Sequence, residues 1–238
     1  MLATYETLTA ALIQPASSGP SPLISTAVLD TYINIARNQV AADAECIRVT
    51  GTLALVANTQ SYGFARITVP TAFGVGIVMT VRSMQLGPQP IDIRGWEWFA
   101  QYYFTSEAFG TPVRASQQGQ GEAGTLFFHP IPTAAATVFL DVVCLPEALV
   151  DDTTPEAIPL LWTDAVPFWA AWLAFLTLQR PVDAEQMMQN YMRLVRRGRQ
   201  VATPSELPDN LPGGMGTQLA ATHQTLAAPQ AAPTAAGR

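Results

Sequence analysis

The segment Ile158-Pro-Leu-Leu-Trp-Thr-Asp-Ala-Val-Pro-Phe-Trp-Ala-Ala-Trp-Leu-Ala-Phe-Leu-Thr-Leu-Gln179 is apolar on almost every side when it is drawn as a helix. A helix of this kind is buried in a protein core, in a membrane or against other subunits. Helical spacing relates six of its apolar residues, which are Leu161, Ala165, Phe168, Trp172, Phe175 and Leu176.

The length of this run, about 19 residues, is within the range of a membrane span. Asp164 opposes that interpretation, because a charge at the bilayer centre costs at least about 2.5 kcal/mol. Pro159 and Pro167 interrupt the run as well. We therefore predict a buried helix in which Pro167 starts or kinks a helical segment, and we expect no membrane contact.

A second, amphipathic helix follows the joint Arg180-Pro181-Val182. Asp183 is a candidate cap, because Gln186 lies three residues further on, at capping-box spacing. A joint of about five residues predicts that the two helices fold back on each other as an αα-hairpin. The apolar stripe of the second helix comprises Ala184, Met188, Tyr191 and Val195.

The N-terminal part is helical by the same criteria. Residues 4–13 predict a short apolar helix, and Ser21-Pro22 offers a cap and a proline for the start of a long one. This long helix spans about 25 residues. Its core positions are Leu29, Ile33, Ala36, Val40, Ala44 and Ile47, and Asn34, Arg37, Asn38 and Asp43 are assigned to its other faces.

After Arg48 the apolar period changes to two, which predicts about six strands. Residues 52–56 and 60–64 predict one hairpin around Ala57-Asn58-Thr59. A second hairpin, across a glycine-rich turn, joins residues 112–117 and 125–129. Further strands are predicted at 74–82, 89–94 and 137–145, with a short aromatic helix at 96–104.

The predicted class is α+β: a helical bundle of the long N-terminal helix and the αα-hairpin, with an inserted antiparallel β-domain. Residues 202–238 predict an extended arm, because the segment from Leu207 onward is rich in Pro, Gly, Ala, Thr and Gln and has no apolar period. The predicted parts are 1–48 (helices), 49–148 (β-domain), 149–201 (helical hairpin) and 202–238 (arm).

Charge is sparse. Only 13% of the residues are charged, the formal net charge is −6, and every basic residue is arginine. A surface short of charge is typical of a protein covered by other subunits, and nothing here resembles a polybasic nucleic-acid footprint.

Cys46 and Cys144 are expected to be free core thiols, although a disulfide stays open. The N-terminus lacks the basic region of a signal peptide, so we expect cytoplasmic synthesis.

No motif predicts catalysis, a cofactor or a metal. Gly119-Gln-Gly-Glu-Ala-Gly124 matches G-x-G-x-x-G, but the sequence after it cannot open a helix, so a hairpin turn is favoured over a dinucleotide site. His129 and His223 show no zinc spacing, and Asp151-Asp152 is expected to cap the next helix. The carboxylates Asp43 and Glu45 lie on a polar helix face. We expect no enzyme activity.

Two features leave alternatives open. The basic patch Arg193, Arg196, Arg197 and Arg199 is either a solvated helix end or a contact surface, to an acidic neighbouring subunit or to passing DNA. The aromatic helix at 96–104 is interpreted as local core more readily than as a binding platform.

The sequence resembles the head-to-tail adaptor (connector) proteins of tailed bacteriophages, of the short-tailed type. Similar segments extend from about Leu23 to Arg199. They comprise Leu29-Asp-Thr-Tyr-Ile-Asn-Ile-Ala-Arg-Asn-Gln-Val40, Cys46-Ile-Arg48 with residues 52–64, Gly110-Thr-Pro112, Leu126-Phe-Phe-His-Pro-Ile-Pro132, and Ile158-Pro-Leu-Leu-Trp162 with the alanine-rich helix after it.

The resemblance implies a ring, commonly of twelve copies, at the portal vertex of the virion, between head and tail. It implies that helices contact neighbouring copies and the portal protein, that the β-part faces the tail or nozzle protein, and that the ring lines the channel of passing double-stranded DNA. The alternatives are another ring component of the tail, such as a nozzle or stopper, and a stand-alone binding module. The candidate subunit or portal contacts are Trp169, Trp172, Phe175, Arg193, Arg196, Arg197, Arg199, Leu211, Met215 and Leu219.

Overall fold

A computed structural model describes residues 1–14, 24–70, 74–104 and 107–202 of the chain. The predicted α+β class is confirmed. The chain divides after Arg196, and the described part of the second unit is residues 197–202. Six helices are present in the described residues: α1 Leu2–Ile13, α2 Thr26–Ala44, α3 Trp96–Tyr102, α4 Leu160–Thr163, α5 Val166–Thr177 and α6 Pro181–Ala202.

In the sequence, the strands of a curled, mainly antiparallel sheet lie between the two N-terminal helices and the C-terminal ones. The strands are β1 Arg48–Leu55, β2 Ser61–Gly63, β3 Val75–Leu86, β4 Gln89–Arg94, β5 Phe109–Gly110, β6 Arg114–Gln118, β7 Thr125–His129, β8 Ile131–Pro132 and β9 Ala136–Pro146. In the described residues, the order of the main sheet is β1-β9-β3-β4-β6-β7-β2, with β4 and β6 as its one parallel pair, while β5 and β8 pair separately.

The predicted hairpin of residues 52–56 with 60–64 is wrong. A turn does form there, with Asn58 in a left-handed conformation, but β1 pairs with β9 and β2 pairs with β7. The predicted β6–β7 hairpin is confirmed, and so are β3, β4 and the glycine-rich turn. Strand β9 buries the four alternating side chains that its period indicated, Val138, Leu140, Val142 and Cys144.

The apolar run at 158–179 forms α4 and α5, and Pro167 lies in the first turn of α5. Helix α5 packs against α1 and α2, which precede the sheet in sequence. By length and composition alone Leu160–Thr177 could cross a membrane, yet half of that window is buried inside the protein. Its buried side is lined by small residues, Ala170, Ala171 and Ala174, which allow close helix approach.

Helix boundaries differ from the prediction in two places. Ser25 precedes the first residue of α2. The helix ends at Ala44, and the next residue, Glu45, has a left-handed conformation, so Ile47 lies beyond the helix. The predicted start at Ser21-Pro22 lies outside the described residues. Helix α6 begins at Pro181, which places Asp183 inside its first turn, where it pairs with Arg180. The predicted cap at Asp183 is therefore wrong, because proline already starts the helix.

Candidate interaction surfaces

Three aromatic rings hold α5 and α6 together. The ring of Trp169 on α5 lies 4.6 Å from that of Trp172 and 4.8 Å from that of Tyr191 on α6, and both pairs are tilted. Tyr191 is fully buried, and its hydroxyl donates a 2.6 Å hydrogen bond to the Asp43 carboxylate of α2. The carboxylate that the sequence placed on a polar helix face therefore anchors α6 to α2.

Of the predicted contact residues on α5, Trp169 and Trp172 are half-buried, whereas Phe175 is only 3% exposed. Phe175 lies in the core of the chain itself, beneath the guanidinium of Arg180 at 5.1 Å. This position leaves Trp172 better placed than Phe175 to meet another molecule.

Arginines lie on the outer face of the C-terminal half of α6. Arg193 and Arg196, in the first unit, are exposed, and Arg193 donates to the side-chain oxygen of Asn190. Arg197 and Arg199 are exposed on the described residues of the second unit. The remaining predicted contacts, Leu211, Met215 and Leu219, lie outside the described residues, as do the predicted arm and His223.

The Tyr191 hydroxyl can be tested directly. Tyr191→Phe removes a hydrogen bond to a carboxylate in a buried site, so we expect it to lower the free energy of unfolding by about 1.5–3 kcal/mol. Urea titration measures this loss. The matched control is Tyr32→Phe, whose hydroxyl bonds to Thr177 at an exposed position and should cost well under half as much. Equal losses in both variants would contradict the anchoring role of Asp43.

A buried ion pair joins α2 to the connection between β9 and α4. The side chains of Arg37 and Glu156 are 1% and 7% exposed and lie 2.8 Å apart. Arg37 also donates to the Glu147 carbonyl at 2.7 Å and to the Asn34 side chain at 3.1 Å. The assignment of Arg37 to a face of α2 away from the core is wrong, because Arg37 is fully buried and nothing local signals that the 147–158 segment covers it.

The aromatic segment 96–104, which begins with α3, contributes to the core and also to the surface. Phe99 is fully buried, whereas Trp98, Tyr102 and Phe104 are 38%, 56% and 44% exposed. Arg94 lies over the Trp98 ring and Arg114 over the Tyr103 ring. Local core, the favoured interpretation, is thus correct for only part of this helix.

Burial changes the pKa of the two thiols and of one histidine. Burial raises the pKa of Cys46 to about 12 and that of Cys144 to about 11, so both thiols stay protonated. Both cysteines are free. Burial, with a smaller effect of Arg114, lowers the pKa of His129. No group of three or more His, Cys, Asp and Glu within the described ranges could hold a metal ion.

The acidic loop does not cap the next helix, contrary to the prediction. Asp151 accepts hydrogen bonds from Thr153 and Thr154 within its own turn. Asp152 accepts from the amino group of Met1 and the amide of Ala3, at the start of α1. These hydrogen bonds lower the pKa of both carboxyls and hold them ionised.

Residues 3–208 match the model of the SU10 adaptor protein family. No curated protein matched the chain. The match covers well over half of the sequence, including all nine strands, and the family is a structural one rather than a class of enzymes. The chain belongs to the SU10 adaptor proteins, a family of head-to-tail adaptors of tailed phages.

Proposed function

We propose that this chain is a subunit of a ring, commonly of twelve copies, that joins the portal protein to the tail or nozzle protein and lines the DNA channel. The family match over residues 3–208 carries the proposal. The ring sits in the virion at the portal vertex, and the chain is made in the host cytoplasm. Its role is structural.

The composition and the surface support this proposal. Only 13% of the residues are charged, and several large apolar side chains are exposed on a single copy. Leu160 and Val182 are both 82% exposed, at the starts of α4 and α6. Exposed apolar surface of this kind is typical of protein contacts. The helical part, residues 1–48 with 149–201, would contact neighbours and portal, and the β-part, residues 49–148, would face the tail.

The contact residues that we propose on the described helices are Trp172, Arg193 and Arg196, with Arg197 and Arg199 beyond them. Leu211, Met215 and Leu219 belong to the segment 202–238, which we propose as an arm along the portal. Its composition supports this role, because such a segment gains order only against a partner.

Removing residues 203–238 should weaken binding to purified portal rings by at least about tenfold, since an arm adds an intramolecular second contact. Native mass spectrometry, with light scattering, would count the copies bound per portal ring for the full and the truncated chain. The full chain is the control. If the truncated chain docks as well as the full one, the arm is not a portal contact. If neither binds the portal, a nozzle or stopper position, or a stand-alone binding module, is favoured instead.

A further inference from the structure

The imidazole of His129, in β7, is buried with one nitrogen left without a hydrogen bond. The residue is 7% exposed, and its Nδ1 atom has no hydrogen-bond partner within the described ranges. Among the described residues, no carboxylate forms an ion pair with this imidazole. An unpartnered buried nitrogen is an exception in native proteins. A neutral imidazole can keep a lone pair there, whereas an added proton would lack an acceptor.

Arg114 and Tyr103 are the charged and titratable side chains that face His129. Arg114 lies directly opposite His129 in the β6–β7 pair, so the two side chains share one face of the sheet. The ring of Tyr103, which follows α3, lies 4.4 Å from the imidazole, and the Arg114 guanidinium lies 5.1 Å from the same ring. The carboxylates on the neighbouring elements, Glu97 of α3 and Glu107 before β5, are exposed.

A positive charge on His129 would meet opposing effects. The Tyr103 ring would attract an imidazolium through a cation–π contact. Burial would deprive the imidazolium of water, and Arg114 would repel it. Burial and, to a smaller extent, Arg114 lower the pKa of His129, so the unfavourable effects exceed the attraction. The closed arrangement therefore holds a neutral imidazole.

The contact with His129 attaches the end of the aromatic segment to β7. The amides of Tyr103 and Phe104 both donate to the Phe99 carbonyl, at 2.8 and 3.2 Å, and so close this end of α3. Phe104 is 44% exposed, so solvent already reaches it. The start of the helix has its own attachment, because the ring of Trp96 lies 4.7 Å from that of Phe127 in β7. The end can therefore open while the start stays attached.

We propose that His129 is an acid-sensitive switch whose protonation releases residues 102–104 from β7. The neutral imidazole packs against Tyr103. The protonated imidazole places a second cation opposite Arg114 and buries an N–H without an acceptor, and opening of residues 102–104 gives that N–H access to water. The inference goes beyond the proposed ring and does not depend on it.

The sign of the pH dependence follows from the two forms of the site. In the open form the pKa of His129 approaches its ordinary value of about 6.5, whereas in the closed form it is lower. Between these values the open form binds more protons, so the closed form loses stability as the pH falls below about 6.5. Each pH unit in this range favours opening by up to about tenfold.

Amide hydrogen exchange of the full-length chain tests the switch. After correction for intrinsic rates, protection of the Tyr103 and Phe104 amides should fall by up to about tenfold between pH 7.5 and 5.5. The Phe99 amide, which bonds to Gly95, should keep its protection. His129→Gln cannot be protonated and should abolish the pH dependence. His223→Gln removes the other histidine of the chain and should behave like the wild type.

Three results would overturn the proposal. They are a wild type whose protection does not change with pH, an equal change in His129→Gln, and an equal loss at Phe99, which would indicate general unfolding in acid. If circular dichroism shows that His129→Gln does not fold, an NMR titration of the wild-type imidazole takes its place. A midpoint below that of the urea-unfolded chain is expected, and a midpoint at or above it overturns the switch.

Arg114→Gln tests the role of the neighbouring cation. Without the repulsion of Arg114 the pKa of His129 in the closed form should rise, so acidification should cost the Tyr103 and Phe104 amides less protection than in the wild type. Arg66→Gln is the charge-matched control, because Arg66 is exposed and also lies in the β-part. An unchanged pH profile in Arg114→Gln would contradict the assigned role of Arg114.

Discussion

Arg37→Ala is expected to lower the free energy of unfolding by about 3–5 kcal/mol, a large part of the stability of a domain. The substitution leaves the Glu156 carboxylate, 7% exposed, without its cation. It also removes the donors to the Glu147 carbonyl and to the Asn34 side chain. An uncompensated buried charge is far more costly than the loss of a surface pair.

Urea unfolding monitored by tryptophan fluorescence measures this loss, provided that the variant and the wild type are compared in the same oligomeric state. The matched control is Arg82→Ala, which removes an exposed ion pair with Glu45 and should cost at most about 1 kcal/mol. The double variant Arg37→Met/Glu156→Leu removes both charges and should be more stable than Arg37→Ala alone. Comparable losses in Arg37→Ala and Arg82→Ala would show that the buried pair contributes no more than a surface one.

Loss of the Arg37–Glu156 pair should also affect the segment between β9 and α4. Asn34 holds Leu149 through two hydrogen bonds, and Arg37 holds Glu147 and Glu156, so one face of α2 fixes the segment between β9 and α4. That segment carries the chain from the sheet back to the helices. We therefore expect amide exchange at Leu149 to increase in Arg37→Ala before the sheet loses protection.

Local patterns predicted individual elements, because a period or a turn is defined by residues that are close in sequence. The period of β9, the glycine-rich turn between β6 and β7, and the stripe of Ala184, Tyr191 and Val195 on α6 all needed only neighbouring residues. The predicted hairpin of residues 52–56 with 60–64 was wrong because the turn signal at Asn58 does not specify which strands pair with each other. Strand β1 pairs with β9 because β9 offers a long, fully apolar face that the short β2 cannot.

The charged residues show the same difference between what one helix reveals and what only packing between elements reveals. The arginines of α6 were identified from sequence, because a run of like charges is visible in one dimension. The interaction of Glu6 with Asp30 was missed, since it occurs only where α1 packs on α2. Arg37 was misassigned for the reverse reason: a charged side chain predicts exposure unless its partner, here Glu156, is known to cover it.

Gly74→Ala is expected to lower the free energy of unfolding by about 2–4 kcal/mol, from two additive causes. Gly74 has a φ of +63°, which is unfavourable for any residue with a Cβ. A Cβ there would also lie 2.6 Å from the carbonyl oxygen of Pro155, a backbone atom that cannot rotate away. The Gly74 carbonyl accepts a 2.7 Å hydrogen bond from Glu147, so the backbone has little freedom to shift.

Gly87→Ala separates these two causes, because Gly87 has nearly the same φ, +59°, and no atom within 4 Å of the added Cβ. Gly87→Ala should lower the free energy of unfolding only by the conformational contribution, about 1 kcal/mol. The difference between the two variants in urea unfolding then measures the close approach of Gly74 to Pro155. If the two losses are equal, that approach relaxes without cost, and the segment leading from the sheet to α4 is held by the Arg37–Glu156 pair rather than by packing against Gly74.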